Sequence, residues 1–236
     1  MTAAPTETPR PLWRRLLGSF WVQLVLAFVV VGCVLSFVAK PYVVPSGSME
    51  HTLDIGDRVL VSRLAYVGSE PATGDVVVFD ADETWGAHQG ADGNPFAAVL
   101  RWLGEATGFG PSGPHTLVKR VIGGPGQTVA CCNTAGAVTV DGRALSEPYV
   151  FEDFPFEPGT LDCSSVPRSP RCFDAVAVPP DSYLVLGDHR SDSSDSAAQC
   201  RMTPADPASC WRWAHRSDIV GKVAAVIWPI GRWHVP

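Results

Sequence analysis

Leu117-Val118-Lys119-Arg120-Val121-Ile122 is a short, mostly apolar run that ends at the pair Gly123-Gly124. Such a run is typical of a β-strand, in which successive side chains point to opposite faces of a sheet. Alternation puts Leu117, Lys119 and Val121 on one face and the other three residues on the opposite face. A lysine between apolar neighbours on its own face is a candidate for burial, although an edge-strand lysine whose head reaches water fits the same pattern.

Five further segments share this short, β-branched pattern and are bounded by Gly, Pro or Asp: Asp57–Val61, Asp75–Phe79, Ala137–Val140, Tyr183–Leu186 and Lys222–Trp228. Together they predict a mainly β domain. One helix is predicted over Pro95–Ala106, where apolar residues recur every three to four positions after a possible Asn cap. Two stretches rich in loop-forming residues, at about 81–114 and 127–180, are interpreted as insertions into the sheet.

Residues 16–39 contain no charged side chain over 24 positions. At 1.5 Å per residue this exceeds a hydrocarbon core of about 30 Å, so the segment is predicted to be a single transmembrane anchor. A cleaved export signal is the alternative, but its apolar part is usually only about 7 to 15 residues long. Arg10, Arg14 and Arg15 precede the segment and only Lys40 follows it closely. The positive-inside rule then predicts a cytoplasmic tail at 1–15 and an extracytoplasmic domain at 40–236.

The formal net charge of −6 over 236 residues leaves no broad basic surface, so nucleic acid is not expected as a partner. Six of the seven cysteines follow the predicted anchor, on the side of the membrane that permits disulfides. Proximity favours the pairs Cys163–Cys172 and Cys200–Cys210 and leaves Cys131 beside Cys132, but sequence alone does not determine the pairing. A zinc site is the competing interpretation; no Cys-x-x-Cys pair supports it, and neither metal nor cofactor is predicted.

Candidate chemistry begins at Pro45-Ser46-Gly47-Ser48-Met49-Glu50, soon after the predicted anchor. A serine nucleophile needs a base, and the chain has only three lysines, Lys40, Lys119 and Lys222. Lys119 and Lys222 both lie in apolar strands, so strand pattern alone does not choose between them. The serine pair also fits an ordinary turn. A second polar segment, Gly187 to Ser196, fits either a loop closure or a group that orients a catalytic residue.

Four blocks in this order resemble the type I signal peptidases: Pro45 to Met49 with Thr52-Leu53, Gly56 to Val61, Lys119 to Val121 with Gly123 to Gly126, and Gly187-Asp188 through Asp195-Ser196. The resemblance spans roughly residues 16 to 229. It implies an all-β catalytic domain after the membrane helix, and a membrane-bound serine endopeptidase that removes N-terminal signal peptides from exported preproteins.

The same resemblance assigns residue roles. It implies Ser48 as nucleophile and Lys119 as general base of a Ser-Lys dyad. Ser46 matches the hydroxyl that joins the Ser48 amide in an oxyanion hole, and Ser193 matches the hydroxyl that orients the lysine amine. Three charged residues match the scaffold around the site: Arg120, Asp188 and Asp195.

Several positions depart from the family pattern. His51 stands where proline is usual, His189 where Asn is common, and Ser191-Asp192 where Asp-Asn is common. Ala197 replaces a frequent arginine, which puts an ion pair of Asp195 in doubt. None of these changes removes a residue of the implied dyad, so activity is expected.

Two rival functions remain at this point. A Ser-His-Asp hydrolase would use His51 or His189 with Asp188, but no Gly-x-Ser-x-Gly elbow surrounds Ser48. A non-catalytic, membrane-tethered β domain that binds a partner is the other. The expected partners of the peptidase are signal-peptide-bearing preproteins and membrane lipid, and no obligatory protein partner is expected. The expected location is the cell membrane, as a single-pass protein.

Overall fold

The computed structural model describes residues 19–86, 116–201 and 209–236. The predicted tail at 1–15 and the predicted helix at 95–106 lie outside these residues. The first described element is helix α1, Phe20–Cys33, which continues as a π-helical turn over Val34–Val38. Among the described helices, none has the length and hydropathy needed to cross a membrane. Ala39, the last residue of the predicted anchor, is the first residue of strand β1.

A seven-stranded antiparallel sheet forms the body of the protein, in the order β1-β2-β11-β3-β4-β9-β10. Its strands are Ala39–Val43 (β1), Arg58–Ser62 (β2), Val76–Asp80 (β3), Thr116–Gly123 (β4), Ser182–Leu186 (β9), Ala214–His215 (β10) and Ile219–Trp228 (β11). Four of these (β2, β3, β4 and β9) differ by at most one residue at either end from predicted strands, and β11 begins three residues earlier than predicted. The mainly β fold class is therefore confirmed.

A second, four-stranded sheet has the order β7-β6-β5-β8. Its strands are Thr128–Cys131 (β5), Thr139–Val140 (β6), Arg143–Ala144 (β7) and Phe173–Ala177 (β8). All four lie within the stretch 127–180 that was interpreted as an insertion. The strand predicted at 137–140 covers only Thr139–Val140 in the structure. β5, β7 and β8 were not predicted, because none of them shows a clear apolar pattern in the sequence.

Strand β4 connects three groups of core side chains. Val118 packs against the cluster around Met49 and Leu53, Val121 belongs to a second cluster, and Ile122 belongs to a third with residues of the small sheet. Antiparallel pairing sets β4 between β3 and β9, with Lys119 opposite Val77. The centre of β4, which carries Lys119, is consequently enclosed by the main core.

Candidate active site

The site is built where a short turn meets the centre of β4. Ser48 lies in the 3₁₀ turn Gly47–Met49, all three residues of which are buried. Lys119 is only 3% exposed and Ser48 only 8% exposed. The Lys119 Nζ lies 2.6 Å from the Ser48 Oγ, a hydrogen-bonding distance, and Nζ also donates to the Val118 carbonyl at 3.2 Å. The two residues that the sequence assigned to a dyad are thus brought into direct contact.

Burial changes the chemistry of this lysine. Removing the ammonium from water lowers the pKa of Lys119 from 10.5 to about 8, although Asp195, Asp188 and Asp192 oppose the change by favouring the charged form. A pKa near 8 leaves about one tenth of the amine neutral at pH 7. The neutral amine has a lone pair that can accept the serine proton, which is what a general base requires.

Lys222 occupies a different environment. Its side chain is 42% exposed, and its Nζ donates to the Asp75 Oδ1 at 2.5 Å. Tyr66 donates its hydroxyl to the other oxygen of the same carboxylate at 2.9 Å. Of the two lysines that strand pattern left open, Lys119 contacts Ser48 and Lys222 contacts Asp75.

Asp188 and Arg120 form a buried ion pair beside the dyad. The guanidinium Nε and Nη2 donate to the two carboxylate oxygens at 2.8 and 2.6 Å. Thr52 adds its hydroxyl to the same carboxylate at 2.6 Å, and the guanidinium lies 4.0 Å from the centre of the Tyr149 ring. Since Arg120 follows the lysine and Thr52 lies on the segment after the serine, this network joins the strand of the base to the loop of the nucleophile.

Asp195 is completely buried and forms an ion pair, which the sequence had put in doubt. Arg201 donates from Nη1 and Nη2 to its two oxygens at 2.9 and 3.1 Å, and the arginine side chain is only 5% exposed. The doubt raised by Ala197 was therefore misplaced: an arginine four residues later supplies the charge. Sequence reasoning missed Arg201 because its partner is fixed by tertiary packing and by no local pattern.

The two supporting serines are in different situations. Ser46 is exposed and extended, immediately before the turn that carries Ser48. The Ser193 Oγ is buried and has no hydrogen-bond partner, so the predicted bond to the Lys119 amine is not formed in the free protein. A side chain at Gly187 would collide with this hydroxyl and with the Ser48 carbonyl, which places Ser193 against the nucleophile's loop.

The side chains of the two histidines near the site contact groups other than the Ser48 hydroxyl. His189 directs its two ring nitrogens at Glu50 and Glu152, at 3.2 and 3.4 Å. His51 stacks on Phe151 with the ring centres 5.5 Å apart. The Asp188 carboxylate, which a Ser-His-Asp arrangement would need, is held by arginine and threonine. The geometry therefore does not support the histidine-based rival.

An open groove of about 610 Å³ is lined by residues that include Glu50, Phe151 and Trp233. The Glu50 carboxylate would lie 3.4 Å from a side-chain carbon added to Gly47, so the groove adjoins the turn that holds Ser48.

Six cysteines form three disulfides: Cys131–Cys132, Cys163–Cys172 and Cys200–Cys210. The two pairs that proximity favoured are confirmed, and the remaining adjacent cysteines are bonded to each other. The sulphurs of Cys132, Cys163 and Cys172 lie within 4.8 Å of one another, so two of the disulfides are in contact in the small sheet.

Comparison with known proteins shows the family to which the chain belongs. A family model described as "Signal peptidase, peptidase S26" matches residues 17–228. Signal peptidase I of Mycobacterium tuberculosis (strain ATCC 25618 / H37Rv) is 39% identical over 246 residues, covering 99% of this chain and 80% of that protein. A probable signal peptidase I of Mycobacterium leprae is 36% identical and covers 92% of this chain and 78% of its own length.

Among solved structures, a signal peptidase I from Enterococcus faecalis V583 is 20% identical with a TM-score of 0.36, over 66% of this chain and 97% of that chain. The family model covers far more than half of the sequence, and the mycobacterial relatives match it almost from end to end. This chain belongs to the signal peptidase family, peptidase S26.

Proposed function

We propose that this chain is a membrane-bound serine endopeptidase that removes N-terminal signal peptides from exported preproteins with a Ser48–Lys119 dyad. The observation that carries the proposal is the buried 2.6 Å contact between the lysine amine and the serine hydroxyl. A lysine whose pKa burial lowers to about 8 is suited to accept that proton near neutral pH. The names of the mycobacterial relatives support the substrate class.

Acylation begins when the neutral amine of Lys119 accepts the hydroxyl proton and the Ser48 oxygen attacks the scissile carbonyl. The developing oxyanion takes hydrogen bonds from the Ser48 amide and the exposed Ser46 hydroxyl, as the family pattern implies. Lys119 then donates its proton to the leaving amine, the C–N bond breaks, and an ester remains on Ser48.

Deacylation uses the same amine. Lys119 accepts a proton from water, the hydroxide attacks the ester, and the serine oxygen takes the proton back as the acid leaves. Ser193 orients the amine once substrate fills the site, and the two buried aspartate–arginine pairs hold the surrounding loop. The groove next to Glu50 offers room for the substrate chain.

The membrane arrangement is also proposed. Residues 1–15 form a cytoplasmic tail, 16–39 a single membrane anchor and 40–236 an extracytoplasmic catalytic domain, with insertions at about 81–114 and 127–180. Helix α1 supports the anchor because none of its residues is buried against the domain, and Phe20, Trp21 and Phe28 are about 70% exposed. Apolar rings so exposed are stabilised by lipid, which makes membrane lipid the second expected partner. The three disulfides agree with an oxidising compartment.

The deciding experiment is cleavage of a purified preprotein by the full chain in detergent, with Ser48→Ala and Lys119→Met as test variants. Both are expected to lower kcat by about 10²-fold or more, because each removes a reacting group. Lys222→Met and His189→Ala are matched controls that should cleave at a rate close to wild type. Normal cleavage by Lys119→Met would refute the dyad, and loss of cleavage in His189→Ala alone would favour the histidine rival.

Topology needs a separate measurement. Protease added to intact spheroplasts should digest the domain at 40–236 and leave a membrane-embedded fragment of the anchor and tail. Extraction at high pH should leave that fragment in the membrane pellet. Digestion only after the membrane is broken would place the domain inside and contradict the proposed orientation.

A further inference from the structure

The pair of Asp195 and Arg201 has two features that ordinary surface pairs lack. Both side chains are almost fully buried, at 0% and 5% exposure, and the guanidinium contacts both carboxylate oxygens. Arg201 also directly follows Cys200, whose sulphur is bonded to Cys210. The guanidinium carbon lies 5.4 Å from the centre of the Phe154 ring, which packs on its face. The arginine is thus fixed by a covalent link, a ring and two charged hydrogen bonds.

Asp195 reaches the reacting groups through Gly187. The Gly187 amide donates to its Oδ2 at 3.5 Å, and the Ala197 amide donates to its Oδ1 at 3.1 Å. Gly187 in turn packs so tightly against the Ser48 carbonyl that it has no room for a side chain. The Ser48 carbonyl also accepts from the His189 amide at 3.2 Å. A movement of Asp195 would therefore be transmitted to the nucleophile's turn over two contacts.

We propose that Arg201, held by the Cys200–Cys210 disulfide, is a positioning residue for cleavage: it fixes Asp195 against the dyad and balances its charge, so the reaction depends on that disulfide. The inference rests on the proposed Ser48–Lys119 chemistry. Arg201 touches neither member of the dyad; it acts through the carboxylate that it holds.

The charges that face Lys119 explain why balance matters. Three carboxylates raise the pKa of Lys119: Asp195 has the largest effect, followed by Asp188 and Asp192. Asp188 is neutralised by Arg120, and Asp195 by Arg201. The strand residue opposite the lysine, Val77, is apolar and brings no charge. The buried Arg201 is therefore the only described cation that is bonded to the dominant carboxylate.

Removing Arg201 would leave the Asp195 charge unbalanced in a buried site. An unbalanced carboxylate favours the ammonium form and raises the pKa of Lys119. Less of the amine is then neutral at pH 7. The acidic limb of the cleavage profile, where activity rises as the base loses its proton, should consequently move to higher pH.

The first test compares pH profiles of kcat/KM for the full chain in detergent. We expect Arg201→Gln to move the acidic limb upward by on the order of one pH unit, which lowers kcat/KM at pH 7 about tenfold and leaves the plateau within about threefold. Asp195→Asn should move the limb downward, because it removes the charge itself. Arg201→Lys keeps the charge, so its acidic limb should lie close to the wild-type position.

The second test distinguishes a specific effect of the Cys200–Cys210 disulfide on the acidic limb from a general loss of stability. Cys200→Ser with Cys210→Ser should shift the limb in the same direction as Arg201→Gln. Cys163→Ser with Cys172→Ser is the matched control, since its disulfide spans 9 residues against 10 and does not touch Asp195. We expect that control to lower thermal stability by a similar amount and to leave the limb in place.

The results distinguish this inference from the proposed function. A limb at the wild-type position in both Arg201→Gln and the Cys200/Cys210 variant overturns the positioning role, even if both proteins are less stable. Equal limb shifts in both cysteine variants also overturn it, because the effect would then be general. Full cleavage by Ser48→Ala would instead refute the dyad, on which the inference rests.

Discussion

The pH dependence of cleavage is the sharpest prediction from the dyad geometry. A solvated lysine with a pKa of 10.5 would have about three neutral amines in ten thousand at pH 7. With a pKa of about 8, Lys119 has about one in ten. Burial therefore raises the reactive fraction about 300-fold, and the same difference corresponds to about 3 kcal/mol of cost for keeping the ammonium buried.

The profile follows from these fractions. We expect kcat/KM to rise about tenfold per pH unit below pH 7, to reach half its maximum near pH 8 and to be level above pH 9. The assay is cleavage of a quenched fluorescent signal-peptide substrate by the full chain in detergent, with substrate well below KM from pH 5.5 to 10. A half-maximum near pH 6.5 would point to a histidine, and one near 10.5 to a solvated lysine; either would refute the buried base.

The same burial makes a stability prediction of defined sign. Between pH 8 and 10.5 the unfolded chain binds the lysine proton and the folded chain does not, so stability rises with pH in that window. Lys119→Met removes the cost and should be more stable than wild type at pH 7 by up to about 3 kcal/mol. Denaturant unfolding in detergent should show this difference closing above pH 10.5. A constant difference at all pH values would mean that packing, not charge, is responsible.

Asp188→Asn leaves the buried Arg120 without a charged partner, so we expect it to lower the unfolding free energy by about 3–5 kcal/mol. Asp174→Asn breaks an exposed pair and should lower it by less than about 1 kcal/mol. Equal losses would contradict the importance of burial. Gly187→Ala puts a Cβ against the nucleophile's carbonyl and should lower kcat about a hundredfold. Gly32→Ala, in helix α1 and with nothing within 4 Å, should not. Ser193→Ala should leave thermal stability nearly unchanged and lower kcat at least about tenfold, because its bond to the amine forms only with substrate bound; unchanged kcat would remove that serine from the site.

The pattern of short β-branched runs predicted five of the seven strands of the main sheet, because segments such as Asp75–Phe79 and Leu117–Ile122 are apolar and are bounded by turn-forming residues. It did not predict β8, where Phe173–Ala177 has a buried end and three exposed residues, and no alternation to detect. The small sheet depends on contacts between segments far apart in sequence, together with its disulfides. Local propensity carries little of that information.

For the dyad, the sequence left a different kind of information to the fold. Strand pattern alone left two candidate lysines, and the family resemblance chose Lys119. The fold adds an observation that neither could give: Lys222 has a carboxylate partner from another part of the chain. The role of Arg201 could not be predicted either, because its partner is also set by the fold. Arg201 pairs with a residue six positions earlier in a loop and directly follows a disulfide-bonded cysteine, and it occupies no motif position that a sequence pattern would mark.

The junction between helix α1 and the sheet has a mechanical consequence. The π-helical turn ends at Val38, and β1 begins at the next residue, so no slack chain separates the two. β1 is then paired along its length with β2. In the proposed membrane arrangement, this direct junction would hold the catalytic centre at a fixed distance from the bilayer. We expect the position of the cut in a preprotein to be counted from where its own apolar segment leaves the lipid, and inserting flexible glycines after Val38 should blur that count.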